Sequence, residues 1–510
     1  MSWSNSAITI ATFLPAVGAV VIALMPKEQD RTIRAMGIAI TGAAMLVGLA
    51  MLPGYNFGAS EGLQYELDVS WISVIGARYH VGIDGISLPL FELTLVLSFL
   101  CTVYTWHYVP SPGKTKAFLA LILLLETGMA GTFIAFDLVL FFVFWELVLV
   151  PMYFLIGVWG SANREYAAIK FFLYTLFGSV FMLLGFLGMY FRSPGAHTFD
   201  IQKLTEFASQ GGFSYGFQLV AFAAVFLGFA IKVPMWPFHT WLPDAHTEAP
   251  TVGSVLLAGI LLKMGTYGFV RIALPVLPDA AHKWAPWIGL LAVIAIVYAA
   301  LACLAQKDLK RLIAFSSVGH MGFVMLGIAT LTDIGINAAI FGMVAHGIIT
   351  GMLFFCVGSI YDRYHTREIA EIGGGMAIKV PRLAWIFAFV SIASLGLPGL
   401  AGFWGEVLSL LSSFRPAAGL SVGLFRTFMV LGGIGTILTA AYFLWMLQRV
   451  NLGTLQERWA EAEFPDVVAA EWVAWVPLLI AIVILGLLPR LLLGVTNEAV
   501  AGLARIFAGS

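Results

Sequence analysis

Lys232-Val233-Pro234-Met235-Trp236-Pro237 interrupts an apolar run that covers residues 217–247. That run is longer than one membrane crossing needs, since a hydrocarbon core about 30 Å thick takes roughly 20 helical residues. Each proline removes an N–H and crowds the carbonyl one turn back, so the helix must break. In lipid, the freed carbonyls have to face protein or water. A second long run, 380–412, carries Leu395-Gly396-Leu397-Pro398-Gly399-Leu400-Ala401-Gly402. Paired interruptions in two halves of a chain point to an inverted-repeat transporter with its ion site at the breaks.

Outward from these two stretches, the apolar runs number about 14. They cover 4–25, 34–53, 84–108, 115–134, 136–159, 167–191, 217–247, 251–277, 284–305, 311–331, 335–360, 380–412, 424–448 and 469–494. The fold class is an all-α polytopic membrane protein in a single membrane domain. Pro234 and Pro398 are 164 residues apart, and the fourth and ninth runs start 169 apart. Helices 4–8 would then repeat as helices 9–13, with helices 7 and 12 broken. Five is odd, so the second copy is inverted. The organisation expected is three N-terminal helices (1–110), a first repeat (115–278), an inverted second repeat (284–450) and a C-terminal helix (451–510). The longest polar connections fall near 54–83, 192–216, 361–379 and 449–468.

Composition agrees. The 510 residues are 60% apolar and only 11% Asp, Glu, Lys or Arg, whereas a soluble chain carries charges at about a quarter of its positions. A net charge of −1 argues against nucleic acid as a partner. The three cysteines form no CxxC and suggest neither a disulfide framework nor a metal site. The N-terminus lacks a basic region, so the first run reads as a retained span. Lys and Arg favour one set of loops by about two to one. This predicts both termini outside, in the periplasm of a bacterium whose cytoplasmic membrane the chain crosses many times.

A charge at the membrane centre costs at least about 2.5 kcal/mol, so such residues have a partner or a task. Glu146 lies in the fifth run, Lys232 just before the first break, Lys263 in mid-span of the eighth run, and Glu406 just after the second break. The lysines are too far from a helix end to snorkel comfortably. His320 shares a helix face with Ser316 and Ser317, and His346 lies in the eleventh run. Arg271, two turns past Lys263, holds its proton too firmly to pass it on, so it fixes an acid or tunes a lysine. Glu126 and Asp137 are weaker candidates. Asp84 and Glu92 open the third run as helix-end groups. Groups that gain and lose protons dominate this inventory, and nothing in it suggests a sugar or amino-acid pocket. A carboxylate raises the pKa of a buried lysine and burial lowers it, so separating the two makes the lysine release its proton.

Five stretches carry a resemblance. They are Gly82-Ile-Asp-Gly-Ile-Ser-Leu-Pro89, Phe144-Trp-Glu-Leu-Val-Leu-Val-Pro-Met-Tyr-Phe-Leu-Ile-Gly157, Lys232-Val-Pro-Met-Trp-Pro-Phe-His-Thr-Trp-Leu-Pro-Asp-Ala-His-Thr-Glu-Ala-Pro-Thr251, Gln306-Lys-Asp-Leu-Lys-Arg-Leu-Ile-Ala-Phe-Ser-Ser-Val-Gly-His320 and Ser394-Leu-Gly-Leu-Pro-Gly-Leu-Ala-Gly-Phe-Trp-Gly-Glu406. Between about residues 80 and 450 the chain resembles the antiporter-like membrane subunits of respiratory complex I, the proton-pumping NADH:quinone oxidoreductase. That family also includes subunits of multisubunit Na⁺/H⁺ antiporters. The resemblance implies that Glu146 and Lys232 form the coupling pair, Lys263 is the central lysine, His320 and His346 are polar links, and Glu406 is the outlet acid. The L and N types of subunit carry Lys where this chain has Glu406, and the L type has a long lateral helix for which this length leaves no room. The implied partners are those neighbouring L- and N-type subunits, together with lipids. No cofactor is expected in this chain; flavin, iron–sulfur clusters and quinone belong to other subunits. The other readings are a subunit of a free-standing Na⁺/H⁺ antiporter and a membrane spacer without transport.

Overall fold

Thirteen helices among the described residues are long and apolar enough to cross a membrane. The structure, a computed structural model, describes residues 3–508 except 60, 107 and 196. α1 (Trp3–Leu24) and α2 (Asp30–Met51) lead to an antiparallel hairpin, β1 (Gln64–Ile72) and β2 (Ala77–Ile83). Then come α3 (Ser87–Tyr104), α4 (Thr115–Ile134), α5 (Leu138–Trp159) and α6 (Arg164–Arg192). The short α7 (Ile201–Ser209) precedes α8 (Tyr215–Lys232), α9 (Trp241–Glu248) and α10 (Thr251–Val276). The second half comprises α11 (Pro278–Leu304), α12 (Leu309–Ala329), α13 (Asp333–Tyr364), α14 (Pro381–Ser394), α15 (Ala401–Phe414) and α16 (Val422–Val450), followed by α17 (Ala469–Leu487) and α18 (Arg490–Arg505). Single helical turns at Ile369–Ile372, Met376–Lys379 and Glu457–Ala460 lie in the loops.

Both expected breaks are present. α8 stops at Lys232 and helix resumes at Trp241; α14 stops at Ser394 and helix resumes at Ala401. Neither α14 nor α15 is long enough to cross alone, which leaves 13 full spans and one broken one. Gly396 and Gly399 take φ of +82° and +94° in the second break, a conformation that side chains with a Cβ avoid.

Two expectations need correction. The last run, read as 469–494, ends at Leu487. Pro489 keeps Leu488 out of the helical region, at φ −125° and ψ 60°, and the chain restarts as the separate amphipathic α18. α18 is fastened to α13 by Thr496 Oγ1, which donates to Asn337 Oδ1 at 2.5 Å. The polar connection at 54–83 is also not mere loop: it holds the hairpin, whose alternating residues have a period of two rather than 3.6.

The hairpin, α7 and α18 share one face of the bundle, called here the hairpin face. Asp137 and Asp200 pair through their backbones there, as do Val81 and Ala135. His80 on β2 pins this face together. It is buried, with Nδ1 2.7 Å from Asp200 Oδ2 and Nε2 3.0 Å from Glu66 Oε1. Both ring nitrogens donate to carboxylates only when the ring is an imidazolium. Burial works against that charge, but Asp200 and Glu66 outweigh it and hold His80 above its ordinary value. Burial likewise raises Asp200, but the His80 contact and the Lys203 N–H outweigh it and bring it below the usual carboxylate range. The sign follows. The His80 contribution is complete below the unfolded histidine pKa and is lost as pH rises through the raised folded value. The Asp200 contribution is lost as pH falls through its lowered value. Relative to intrinsic exchange, hydrogen exchange over residues 64–83 should therefore be slowest at mildly acidic pH, between the ordinary carboxylate and histidine values of about 4 and 6.5, and quicken on either side; protection that is flat with pH, or unaffected by His80→Asn, would refute this.

α10 and α13 are almost wholly buried, whereas α6, α16 and α17 turn a broad apolar face outward. Lipid chains are as apolar as leucine side chains, so helices here associate through close packing of small residues. A Cβ on Gly347 of α13 would lie 2.8 Å from the Gly259 carbonyl of α10, and one on Gly405 of α15 would lie 2.7 Å from Gly342 Cα of α13. These two contacts draw α10 and α15 onto α13, next to His346 and Glu406.

Candidate functional site: a buried polar axis

The axis is built from α10, α12, α13 and the start of α15. Lys263 sits in α10 between two π-helical turns, Leu257–Leu261 and Phe269–Ala273. π-turns of this kind are common at functional sites. Lys263 is fully buried. Its Nζ donates to the Ala258 carbonyl, inside the first π-turn, and to His346 Nδ1 at 2.6 Å. His346 thus presents its Nε2 to the next member. The His346 and His320 rings lie 5.7 Å apart. His320 Nδ1 contacts Glu406 Oε1 at 3.0 Å, and its Nε2 contacts Ser394 Oγ at 3.0 Å.

A cavity of about 30 Å³ lies between these groups, lined by His320, His346, Thr350, Ser394 and Glu406 among others. Three of its buried polar atoms have no protein partner: His346 Nε2, Thr350 Oγ1 and Glu406 Oε2. A water needs roughly 10–15 Å³ of such space and two to four polar partners. The cavity meets both conditions for one or two waters. Gly396 keeps room for the acid, since a Cβ there would stand 3.1 Å from Glu406 Oε2. Lys263, His346, His320 and Glu406 therefore form one file of titratable side chains, and Ser394 touches it although the sequence reading missed that contact.

Glu146 and Lys232 lie apart from the contacts of this file. The α-helical pattern of α5 lapses at Val148, one turn before Pro151 removes the N–H that the Leu147 carbonyl would use. The Lys232 ammonium rests over the Trp145 ring, 5.1 Å from its centroid, a cation–π contact. Trp145 Nε1 donates to Ser179 Oγ at 3.0 Å, and Glu146 Oε1 has no hydrogen-bond partner. No direct hydrogen bond joins Lys232 to Lys263 among the described residues. The last turn of α8 packs straight onto Gly265, where a Cβ would lie 2.7 Å from Val233 Cγ2.

The remaining candidates are placed elsewhere. Asp137 caps α5, accepting from Val139 N and Leu140 N and from Arg78 N of the hairpin. A cap of this kind contributes about 1 kcal/mol. Ser316 and Ser317 donate to the Ile313 carbonyl of their own helix rather than to His320. Glu126 is fully buried in α4 with both oxygens unpartnered, apart from the axis. Arg271 does fix an acid: its Nη2 donates to Asp84 Oδ1 at 2.6 Å. Asp84 was read only as a helix-end group, and it is that too, accepting from Ile86 N and Ser87 N. His246, in the interrupted stretch, stacks on Phe354 at 4.5 Å with both ring nitrogens unpartnered. Its motif was visible in the sequence, but its stacking partner, 108 residues on, was not.

Broken helices joined to a buried file of Lys, His and Glu define an antiporter-like membrane subunit. The family model for the membrane region described as NADH:quinone oxidoreductase/Mrp antiporter matches residues 135–432. NADH-quinone oxidoreductase subunit M of Rickettsia bellii is 43% identical, covering 97% of this chain and 98% of its own. Subunit M of Rhodobacter capsulatus is 42% identical, covering 98% and 96%. A chain of respiratory complex I from Thermus thermophilus superposes with a TM-score of 0.86 at 28% identity, over 98% of this chain and all of the other. The chain belongs to the subunit M family of NADH-quinone oxidoreductase.

Proposed function

We propose that the chain is a proton-translocating membrane-arm subunit of NADH:quinone oxidoreductase, one that couples quinone reduction elsewhere in the complex to proton pumping. The observation that carries this is the file Lys263–His346–His320–Glu406, with its small polar cavity, running from mid-span of α10 to the second break. Lys263 Nζ gives a proton to His346 Nδ1, and His346 Nε2–H passes one on through the cavity to His320 and Glu406. Each transfer is within hydrogen-bond reach or one water, as proton exchange requires. Glu146 acts on Lys232 from a distance: bringing the carboxylate close favours the ammonium, and withdrawing it favours release. The packing between Val233 and Gly265 has to loosen for that proton to reach Lys263. A movable break suits the task, because the carbonyls of interrupted helices can be rehydrated.

In this reading α4–α10 and α11–α16 are inverted copies, the hairpin face lies outside a bacterial cytoplasmic membrane, and the partners are neighbouring antiporter-like subunits of the L and N types. Flavin, iron–sulfur clusters and quinone act in other subunits. A free-standing Na⁺/H⁺ antiporter subunit would share this architecture; the near relatives named as NADH-quinone oxidoreductase subunits favour the first reading.

Glu146→Gln separates the two. In inverted membrane vesicles it should cut NADH-driven proton uptake by about tenfold, which corresponds to 1.4 kcal/mol on a barrier, while the complex still assembles. Undiminished pumping would reject the coupling role. A defect seen only in Na⁺-driven exchange, with NADH oxidation and its gradient untouched, would favour the antiporter.

A further inference from the structure

Lys263 has further polar neighbours along its own helix. Tyr267 is one turn on and Arg271 two, about 12 Å at 1.5 Å per residue. Tyr267 is fully buried. Its OH donates to the Phe133 carbonyl at 2.8 Å and accepts from Arg271 Nε at 3.1 Å. Arg271 bonds Asp84 Oδ1 at 2.6 Å and lies over the Phe136 ring, 4.7 Å from its centroid. Arg271, Asp84 and Phe136 also line a cavity of about 400 Å³ on the hairpin face, walled by α7, α18 and the loop at Glu61. Two helical turns thus separate the central lysine from a large recess at the surface, whose lining includes Asp84 and Arg271.

From this juxtaposition we infer that Arg271 is the barrier that keeps the hairpin-face recess from conducting protons straight to Lys263, so that protons are confined to the Glu406 side. The inference rests on the proton-translocating reading above. Arg271 acts in two ways. Its fixed positive charge repels a proton approaching from the recess, and an arginine does not give up its own proton to hand one on. It also occupies the acceptor site of the Tyr267 hydroxyl, whose single hydrogen is already committed to Phe133. Neither group can relay in this arrangement. Asp84 positions the guanidinium and, with two backbone N–H donors of its own, needs no proton to stay satisfied.

The test is passive proton permeability of liposomes containing the whole purified complex, without NADH, under an imposed pH gradient. Arg271→Gln should raise permeability by roughly tenfold or more, from loss of a unit charge a few ångströms from the path. Arg271→Lys, which keeps the charge, should stay as tight as the parent. Tyr267→Phe added to Arg271→Gln should close the leak again, and so should Lys263→Ala. If Arg271→Gln does not assemble, Arg271→Gln with Asp84→Asn removes both charges and avoids a lone buried carboxylate; it should leak equally. A tight Arg271→Gln or tight double variant overturns the barrier, and so does a leak that survives Tyr267→Phe. Lys263→Ala alone separates the failures. If it keeps full NADH-driven pumping, the underlying reading falls; if it stops pumping while the Arg271 variants stay tight, only the barrier falls.

Discussion

Lys263→Ala should abolish NADH-driven pumping, by well over tenfold, in a complex that still assembles. Among the described residues the lysine is the only group that bonds His346 Nδ1, and it stands at the mid-span end of the file. Its removal leaves that nitrogen buried without a donor, a cost of about 1–3 kcal/mol. This is tolerable for a bundle of this size, so assembly should survive. Its neighbours on the same helix cannot take its place: Thr266 bonds the Lys263 carbonyl and Met343 sulfur, and Tyr267 is committed to Phe133. Lys263→Arg is the sharper variant. It keeps the charge and donor capacity but will not release a proton near neutral pH, so it should fail equally. Proton uptake by vesicles, quenching a pH-sensitive dye, reads both. An active arginine variant would mean that Lys263 serves as a fixed charge and not as a carrier.

Glu406→Gln should be nearly as severe. Glutamine fills the same volume, and its Oε1 can still accept from His320 Nδ1 in place of the 3.0 Å contact. The cavity and Gly396 should be unaffected. What is lost is a group able to take a proton from His320 and release it. Pumping should fall by about tenfold or more, a barrier change above 1.4 kcal/mol, with assembly intact. Full pumping by this variant would move the outlet to Ser394 or to water alone.

The sequence reading reached the breaks and the buried ionisable residues of the spans for a physical reason. Proline within an apolar run and an ionisable residue far from any helix end are both costly in lipid, so each stands out in one dimension. Pairing is a different kind of fact. Nothing in the local sequence says that Lys263 bonds His346 rather than Lys232, or that the acid fixed by Arg271 is Asp84, 187 residues away. The backbone contacts of Asp137 and the two serines were equally hidden, because a carboxylate or hydroxyl near a span looks the same in sequence whatever it bonds. The hairpin and α18 were missed because a search for twenty-residue apolar stretches does not register alternation or amphipathic surface helices.

The two π-turns of α10 make the axis a matter of phase. Each π-turn holds about one residue more than an α-helical turn, and one residue is worth about 100° of azimuth. The seven residues Leu262–Gly268 between them form a short dial, set against the flanking helix by the two π-turns. Delete one residue from Leu257–Leu261 and every charged group of the chain would survive, yet Lys263 would swing by about a quarter of a circle away from His346. A relative that matches all the ionisable positions but lacks that extra residue would have the letters of the pathway without its alignment.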